Sequence, residues 1–248
     1  MINPLLKTVI QLPIEKIFKV GIFSNSILTA SPSEISFWTR EGKSINRIEA
    51  NNVEDEFKLN YFDAIALPNE NKNQIAVKVC NGVGHASDSC FIRVFDQEGK
   101  IKNTINKNVS RHSQLLFSHD DKYLIVYTNT ISIFDLINNS MVEIKPLNCE
   151  TENNSECWLM SVHLSTKSNL ITASTDGMIK IWDLQGQQLS SFQSNSLSLQ
   201  DANFTPDGSM VYSYDIDSTL DLWTLKGNNI YTYNGHGAIF TKDGNEFY

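Results

Sequence analysis

The chain is 248 residues long, with 20 Lys and Arg against 28 Asp and Glu, a formal charge of −8. That balance argues against a general nucleic-acid binder, which needs a basic face, and the lack of an apolar run near ~18 residues argues against a membrane span. Cys80, Cys90, Cys149 and Cys157 form no dense framework and read as reduced thiols of a cytoplasmic protein.

The opening stretch, MINPLLKTVIQLPIEK, has no charged n-region, apolar h-region or small-residue cleavage site, so it does not read as a secretory signal. Within it Leu6–Leu12 reads as a lone strand. From Phe18 onward short apolar runs alternate with turn residues, and no stretch carries a 3.6-residue apolar period. Almost no helix is expected. Aligned on the aromatic that ends each third run, the chain gives five four-run segments. The first spans roughly 18–48 (FKVGIF, SILTAS, EISFWT, SINRIE) and is marked by Trp38. The second spans 61–106 and is marked by Phe95-Asp96, and the third spans 113–146 and is marked by Phe134-Asp135. The fourth, 157–192, has the clearest pattern: a run at Asn169–Ser174, an Asp176-Gly177 hairpin turn, and a run closing on Trp182-Asp183 before Gly186. The fifth, 198–234, is marked by Trp223.

The markers are 57, 39, 48 and 41 residues apart. A period near 40 suits four strands and three turns. The long spacings contain two insertions, Gly82–Asp88 and Asn148–Glu156.

The Trp-Asp closure, its register, and the turns FTPDG (Phe204–Gly208) and FSHDD (Phe117–Asp121) resemble the WD40-repeat β-propeller family. The resemblance implies an all-β, WD40-like β-propeller with five recognisable blades plus a partial sixth, an incomplete ring. It treats 1–248 as one domain: a closure segment at 1–17, five blades over 18–234, and a partial sixth blade at 235–248, where Asn234-Gly235-His236 looks like the Gly-His that precedes a blade. It also implies a blade-stiffening polar network of Trp182, Thr172 and Asp176, and of Trp223, Ser213 and Asp217. The His of that network is missing, and the first three blades lack the Asp. Three explanations of the ends stay open: a fragment of a longer propeller, a degenerate six-bladed ring, or a sheet finished by self-association or another chain.

Chemical motifs are sparse. Cys80, His85, Asp88 and Cys90 share one segment, but nine residues separate the two Cys, which is not a zinc spacing. Gly82-x-Gly84 is too short for a phosphate fingerprint. Cys149 and Cys157 flank a polar loop, and the compartment argument opposes a bridge. His112, His119 and His163 have no nucleophile and carboxylate at motif spacing. Glu54-Asp55-Glu56 reads as a solvated loop. No catalytic, cofactor or metal residue is therefore expected. Trp158 and Tyr61, each at the start of a first strand, are the candidate protein-binding residues, because aromatics anchor interfaces. The expectation is a non-catalytic, cytoplasmic scaffold for protein–protein contacts, without nucleic acid or membrane. The alternatives are an enzyme or small-ligand propeller with a central-channel site, or a regulatory module of a larger protein.

Overall fold

The computed structural model describes residues 16–23, 26–50, 60–67, 74–81, 90–96, 98–106, 109–147, 158–196 and 199–234. These residues form five four-stranded antiparallel sheets and no α-helix. Residues 1–15 and 235–248, which hold the expected lone strand and partial sixth blade, lie outside the described residues. By compactness the chain divides into two units, Met1–Phe117 and Ser118–Tyr248.

In the first unit β1 (Lys19–Phe23), β2 (Ser26–Ala30), β3 (Glu34–Trp38) and β4 (Ser44–Glu49) make the first sheet. β5 (Asn60–Ala66), β6 (Gln74–Asn81), β7 (Cys90–Asp96) and β8 (Ile101–Ile105) make the second, and β9 (Gln114–Phe117) ends the unit. The second unit holds β10 (Tyr123–Tyr127), β11 (Ile131–Asp135) and β12 (Ser140–Ile144), which belong with β9 to the third sheet. It continues with β13 (Leu159–Leu164), β14 (Leu170–Ser174), β15 (Met178–Trp182) and β16 (Gln188–Gln193), the fourth sheet. β17 (Leu199–Phe204), β18 (Met210–Asp215), β19 (Thr219–Thr224) and β20 (Asn229–Asn234) are the fifth.

Alternation along each strand sends one set of apolar side chains to each face. Leu28, Ile35 and Phe37 of the first sheet meet Phe62, Val77 and Phe95 of the second in one core. Ile171, Ala173 and Ile179 of the fourth meet Leu199, Phe204 and Trp223 of the fifth in another. Lys78 is buried in β6, where its Nζ pairs with Asp63 at 2.7 Å and donates to the carbonyl of Ser113 at 2.7 Å. That cation is fully engaged in holding the approach to β9.

The five marker aromatics occupy equivalent places. Trp38, Phe95, Phe134, Trp182 and Trp223 sit at or one residue from the end of the third strand, opposite Ile27, Ile75, Leu124, Leu170 and Val211. Three of them carry an indole N–H, and each donates to a hydroxyl two residues further along the second strand. Trp38 donates to Thr29 at 2.9 Å, Trp182 to Thr172 at 3.3 Å, and Trp223 to Ser213 at 2.9 Å. Where the marker is Phe, that position is Val77 or Val126, both buried. A buried donor needs an acceptor, and a phenyl ring does not. The expected network is thus partly altered. Asp176 accepts from Ser174, and the Asp217 backbone N–H donates to Asp215.

The residue after the marker shapes the next turn. Thr39, Asp96, Asp183 and Thr224 each accept backbone N–H bonds from the residue four positions on, and each carbonyl accepts from a glycine three positions on. Gly186 and Gly227 have φ of 84° and 85°, a region that an L side chain enters only with strain. A Cβ on Gly186 would lie 2.6 Å from Val142 of β12, and one on Gly227 would overlap the Phe192 ring of β16. The same turn therefore needs glycine twice over, for its backbone and for its fit against the preceding sheet. The pairing of β3, β7, β15 and β19 with their fourth strands shifts register at the marker. The extra residue of such a bulge points away from the ladder, which accounts for the exposure of Ile45, Leu189 and Ile230.

Thr172→Val should cost about 1–3 kcal/mol, because the buried indole N–H of Trp182 loses its acceptor. Combined with Trp182→Phe it should cost less than the sum of the two by about 1 kcal/mol, read from urea unfolding. Simple additivity would show that this bond does not couple the two strands. Gly227→Ala should cost more than about 1 kcal/mol in thermal unfolding, and clearly less in a Phe192→Ala background.

Candidate functional site

Trp158 stands one residue before β13 and is 51% exposed. Its backbone is clamped at both polar atoms. The N–H donates to Thr175 Oγ1 at 3.0 Å and the carbonyl accepts from the Thr175 N–H at 2.9 Å. The next N–H, of Leu159, donates to Asn129 Oδ1 at 3.1 Å. The register of β13 on β14 then shifts between Leu159 and Ser161, and the extra residue, Met160, is 43% exposed.

The turn that holds Trp158 also locates the start of the fifth sheet. Gly177 accepts from the Ser194 N–H at 2.8 Å, and Ser194 Oγ donates to the Ser196 carbonyl. Three residues later the chain enters β17 at Leu199, which pairs with Asp215. Ile216 and Asp217 follow at once, both exposed, and Tyr214, opposite Asp201, is 37% exposed. One end of the fourth and fifth sheets therefore carries Trp158, Met160, Tyr214 and Ile216 to solvent.

Beneath this end β13 and β17 are strapped together. His163 Nε2 lies 2.9 Å from Asp201 Oδ1, and the Ala202 N–H donates to Ser161 Oγ at 3.2 Å. The Ser161 hydroxyl donates to the Asp201 carboxylate. Burial alone would raise the Asp201 pKa, but the bonds from His163 and Ser161 and the charge of His163 outweigh it, and the carboxyl is held below its ordinary range. Burial, then the Asp201 charge, pushes the Tyr127 phenol up, and the same two effects act on Tyr212. A serine relay needs the imidazole between hydroxyl and carboxylate. Here the carboxylate stands in the middle, so the group ties two strands and does not activate Ser161. Sequence reading had no signal for this pair, since its members are 38 residues apart.

Tyr61, the other candidate, is in β5 of the first unit, partly buried and opposite Cys80. The reduced-thiol expectation is corrected for Cys80 and Cys90, which face each other across β6 and β7 and form a disulfide, with a Cα–Cα distance of 4.2 Å. A signal was present: the two Cys flank an insertion in a hairpin, a register that sets them opposite. Cys149, Cys157, His85, Asp88 and Glu54–Glu56 lie outside the described residues. Among the described residues no group of three or more His, Cys, Asp and Glu is placed to hold a metal ion, and no helix is long and apolar enough to cross a membrane. No protein-family model and no curated protein matches the chain.

Because the folded pKa of Asp201 is below its unfolded value, its contribution to stability is full above about pH 5 and is lost as pH falls through the folded pKa. Asp201→Asn should lose that contribution at neutral pH and show a flatter acid limb in unfolding free energy against pH. A limb as steep as in the parent protein would show that Asp201 is not the group responsible.

Proposed function

We propose that this chain is a non-catalytic scaffold for protein–protein interaction, a WD40-like propeller of five blades and part of a sixth. The observation that carries the reading is Trp158: a half-exposed indole on a backbone fixed by Thr175, next to the Leu159–Asn129 bond. Rigid aromatics that present area at low entropic cost are what interfaces use as anchors. The equivalent placing of five marker aromatics, each in a four-stranded sheet, supports the repeat architecture on which the reading depends.

A second reading, a small-ligand or catalytic site, draws on Asp201 of β17 and on Tyr127 and Tyr212 of β10 and β18, whose phenols feel the Asp201 charge. It is the weaker of the two, because Asp201 already takes bonds from His163 and Ser161. We propose cytoplasmic placement from the sequence alone. The Cys80–Cys90 bridge weighs against it, since reducing compartments keep such thiols open.

The test compares the full chain with Trp158→Ala and with Ile137→Ala, an exposed residue of the turn before β12. A partner protein retained by the parent and Ile137→Ala, but lost from Trp158→Ala at unchanged melting temperature, is the expected outcome. Equal retention by all three would remove Trp158 from the interface.

A further inference from the structure

We infer that Cys80 and Cys90 form a redox latch on one end of the second sheet, closed as a disulfide and opened by a small thiol such as glutathione. Four of the five second-to-third strand pairings stop three residues past the pair that holds the marker, at Ala30↔Ile35, Tyr127↔Ile131, Ala173↔Ile179 and Tyr214↔Leu220. The pairing of β6 with β7 runs on, through Val79↔Phe91 to Cys80↔Cys90, in unbroken register. The four shorter hairpins close their turns with hydrogen bonds. The Glu34 N–H donates to Ser31 Oγ, the Thr128 N–H to the Thr130 carbonyl, Ser174 Oγ to Asp176, and the Asp217 and Thr219 N–H groups to Asp215. In the second sheet the covalent bridge stands in that place. A Cα–Cα distance of 4.2 Å marks Cys80↔Cys90 as a pair without ladder hydrogen bonds of its own, so the bridge is what ties these two strand ends.

The extension packs on one face and carries the bridge on the other. Phe62, Val79 and Phe91 are buried in the core shared with the first sheet, and the Phe62 N–H donates to the Pro32 carbonyl at 2.8 Å. Tyr61, directly opposite Cys80, shares the face of the bridge. The inner limit is Lys78, whose pairing with Asp63 and bond to the Ser113 carbonyl fix the sheet from there on. Opening the bridge therefore loosens 60–62, 79–80 and 90–91 and stops at Lys78. Cys90 is 8% exposed and Cys80 0%, so exchange enters at Cys90. A glutathione thiolate attacks the Cys90 sulfur and Cys80 leaves as thiolate. A second glutathione thiolate attacks the glutathione sulfur of that mixed disulfide, and Cys90 leaves in turn. Both cysteines take up a proton, so the bridge gains two electrons and two protons, while two glutathione thiols become one glutathione disulfide. Closure is the reverse, with glutathione disulfide as oxidant, and it needs no rearrangement because the hairpin register already sets the two residues opposite. Disulfides in reducing compartments serve mainly as transient catalytic or redox-sensing bonds, which reconciles this bridge with cytoplasmic placement.

Two measurements test this. In the first, the full chain is equilibrated with glutathione at set ratios of reduced to oxidised form, quenched with acid, alkylated and digested with trypsin, which leaves both cysteines in one peptide, 79–93. The bridged and doubly alkylated forms of that peptide should interconvert reversibly as the ratio is varied between the two pure pools. A peptide that is bridged in every mixture, or alkylated in every mixture, would overturn the latch. The second is amide hydrogen exchange of the folded chain before and after reduction. Amides of 60–62, 79–80 and 90–91 should exchange about tenfold faster or more once the bridge is open, while those of β14 and β15 in the fourth sheet keep their rates. Unchanged rates after full reduction would show that the bridge controls nothing, and equal acceleration in the fourth sheet would show a general loosening; either outcome rejects the latch. Cys80→Ser should exchange as the reduced parent does at every glutathione ratio. A response to the ratio in that variant would place the switch at another cysteine and remove it from this pair.

Discussion

A four-stranded sheet of four- to eight-residue strands has too little material to bury its own faces, so each must be covered by something outside itself. The residue that meets this demand is the aromatic near the end of the third strand. Trp223 is buried between the fourth and fifth sheets, its ring 5.4 Å from that of Phe192. Burying an indole brings a second demand, an acceptor for its N–H in a place water does not reach. Thr29, Thr172 and Ser213 meet it where the marker is Trp, and Val77 and Val126 fill the same place where it is Phe. The two choices covary within one chain. Five sheets that solve one problem in two consistent ways are repeats in a physical sense, not only by spacing.

The turns carry that order from one sheet to the next. Thr or Asp after the marker closes a turn that only a positive-φ residue completes, and Gly99, Gly186 and Gly227, which supply it in three of these turns, are pressed on the fourth strand of the sheet before. Local backbone chemistry and packing between sheets thus constrain the same atom. In the third sheet Asn139, at φ 52°, takes the left-handed role, and there β11 pairs with β12 without a bulge. With the same number of residues in the connection, this turn keeps every residue in the ladder and closes without glycine.

Much of this was readable from the residues. The runs SINRIE, TLDLWT and NIYTYN coincide with β4, β19 and β20, because period-2 alternation between turn glycines leaves little freedom in register. What escaped was whatever depended on a partner distant in sequence, or on asking the wrong question of a near one. An Asp six residues before the Trp does not mark the Trp38–Thr29 bond, because the requirement is a hydroxyl nine or ten residues before it. Metal spacing and compartment say nothing of Cys80 and Cys90 as neighbours across a hairpin. Trp158 and Tyr61 look alike in sequence position, yet one is half exposed and the other partly buried, a difference set by packing that no local pattern encodes.

Exposed apolar residues need separate explanations before any of them can mean a partner. Ile45, Leu189 and Ile230 have one: each is the displaced residue of a bulge, exposed as a consequence of the turn beside it. Trp158 has none of that kind. It lies outside the strand, and the groups that fix it, Thr175 directly and Asn129 through Leu159, come from two different turns. Leaving an indole in water forgoes about 2–3 kcal/mol of burial, while ordering its backbone costs entropy. Both costs are recovered when a second surface covers the ring, since the ordering is already complete before the encounter. The strap of His163, Ser161 and Asp201 beneath it adds to that readiness by holding β13 and β17 in fixed register. A clamped, half-exposed indole above a stiffened pair of strands is therefore the feature on which the proposed scaffold role rests.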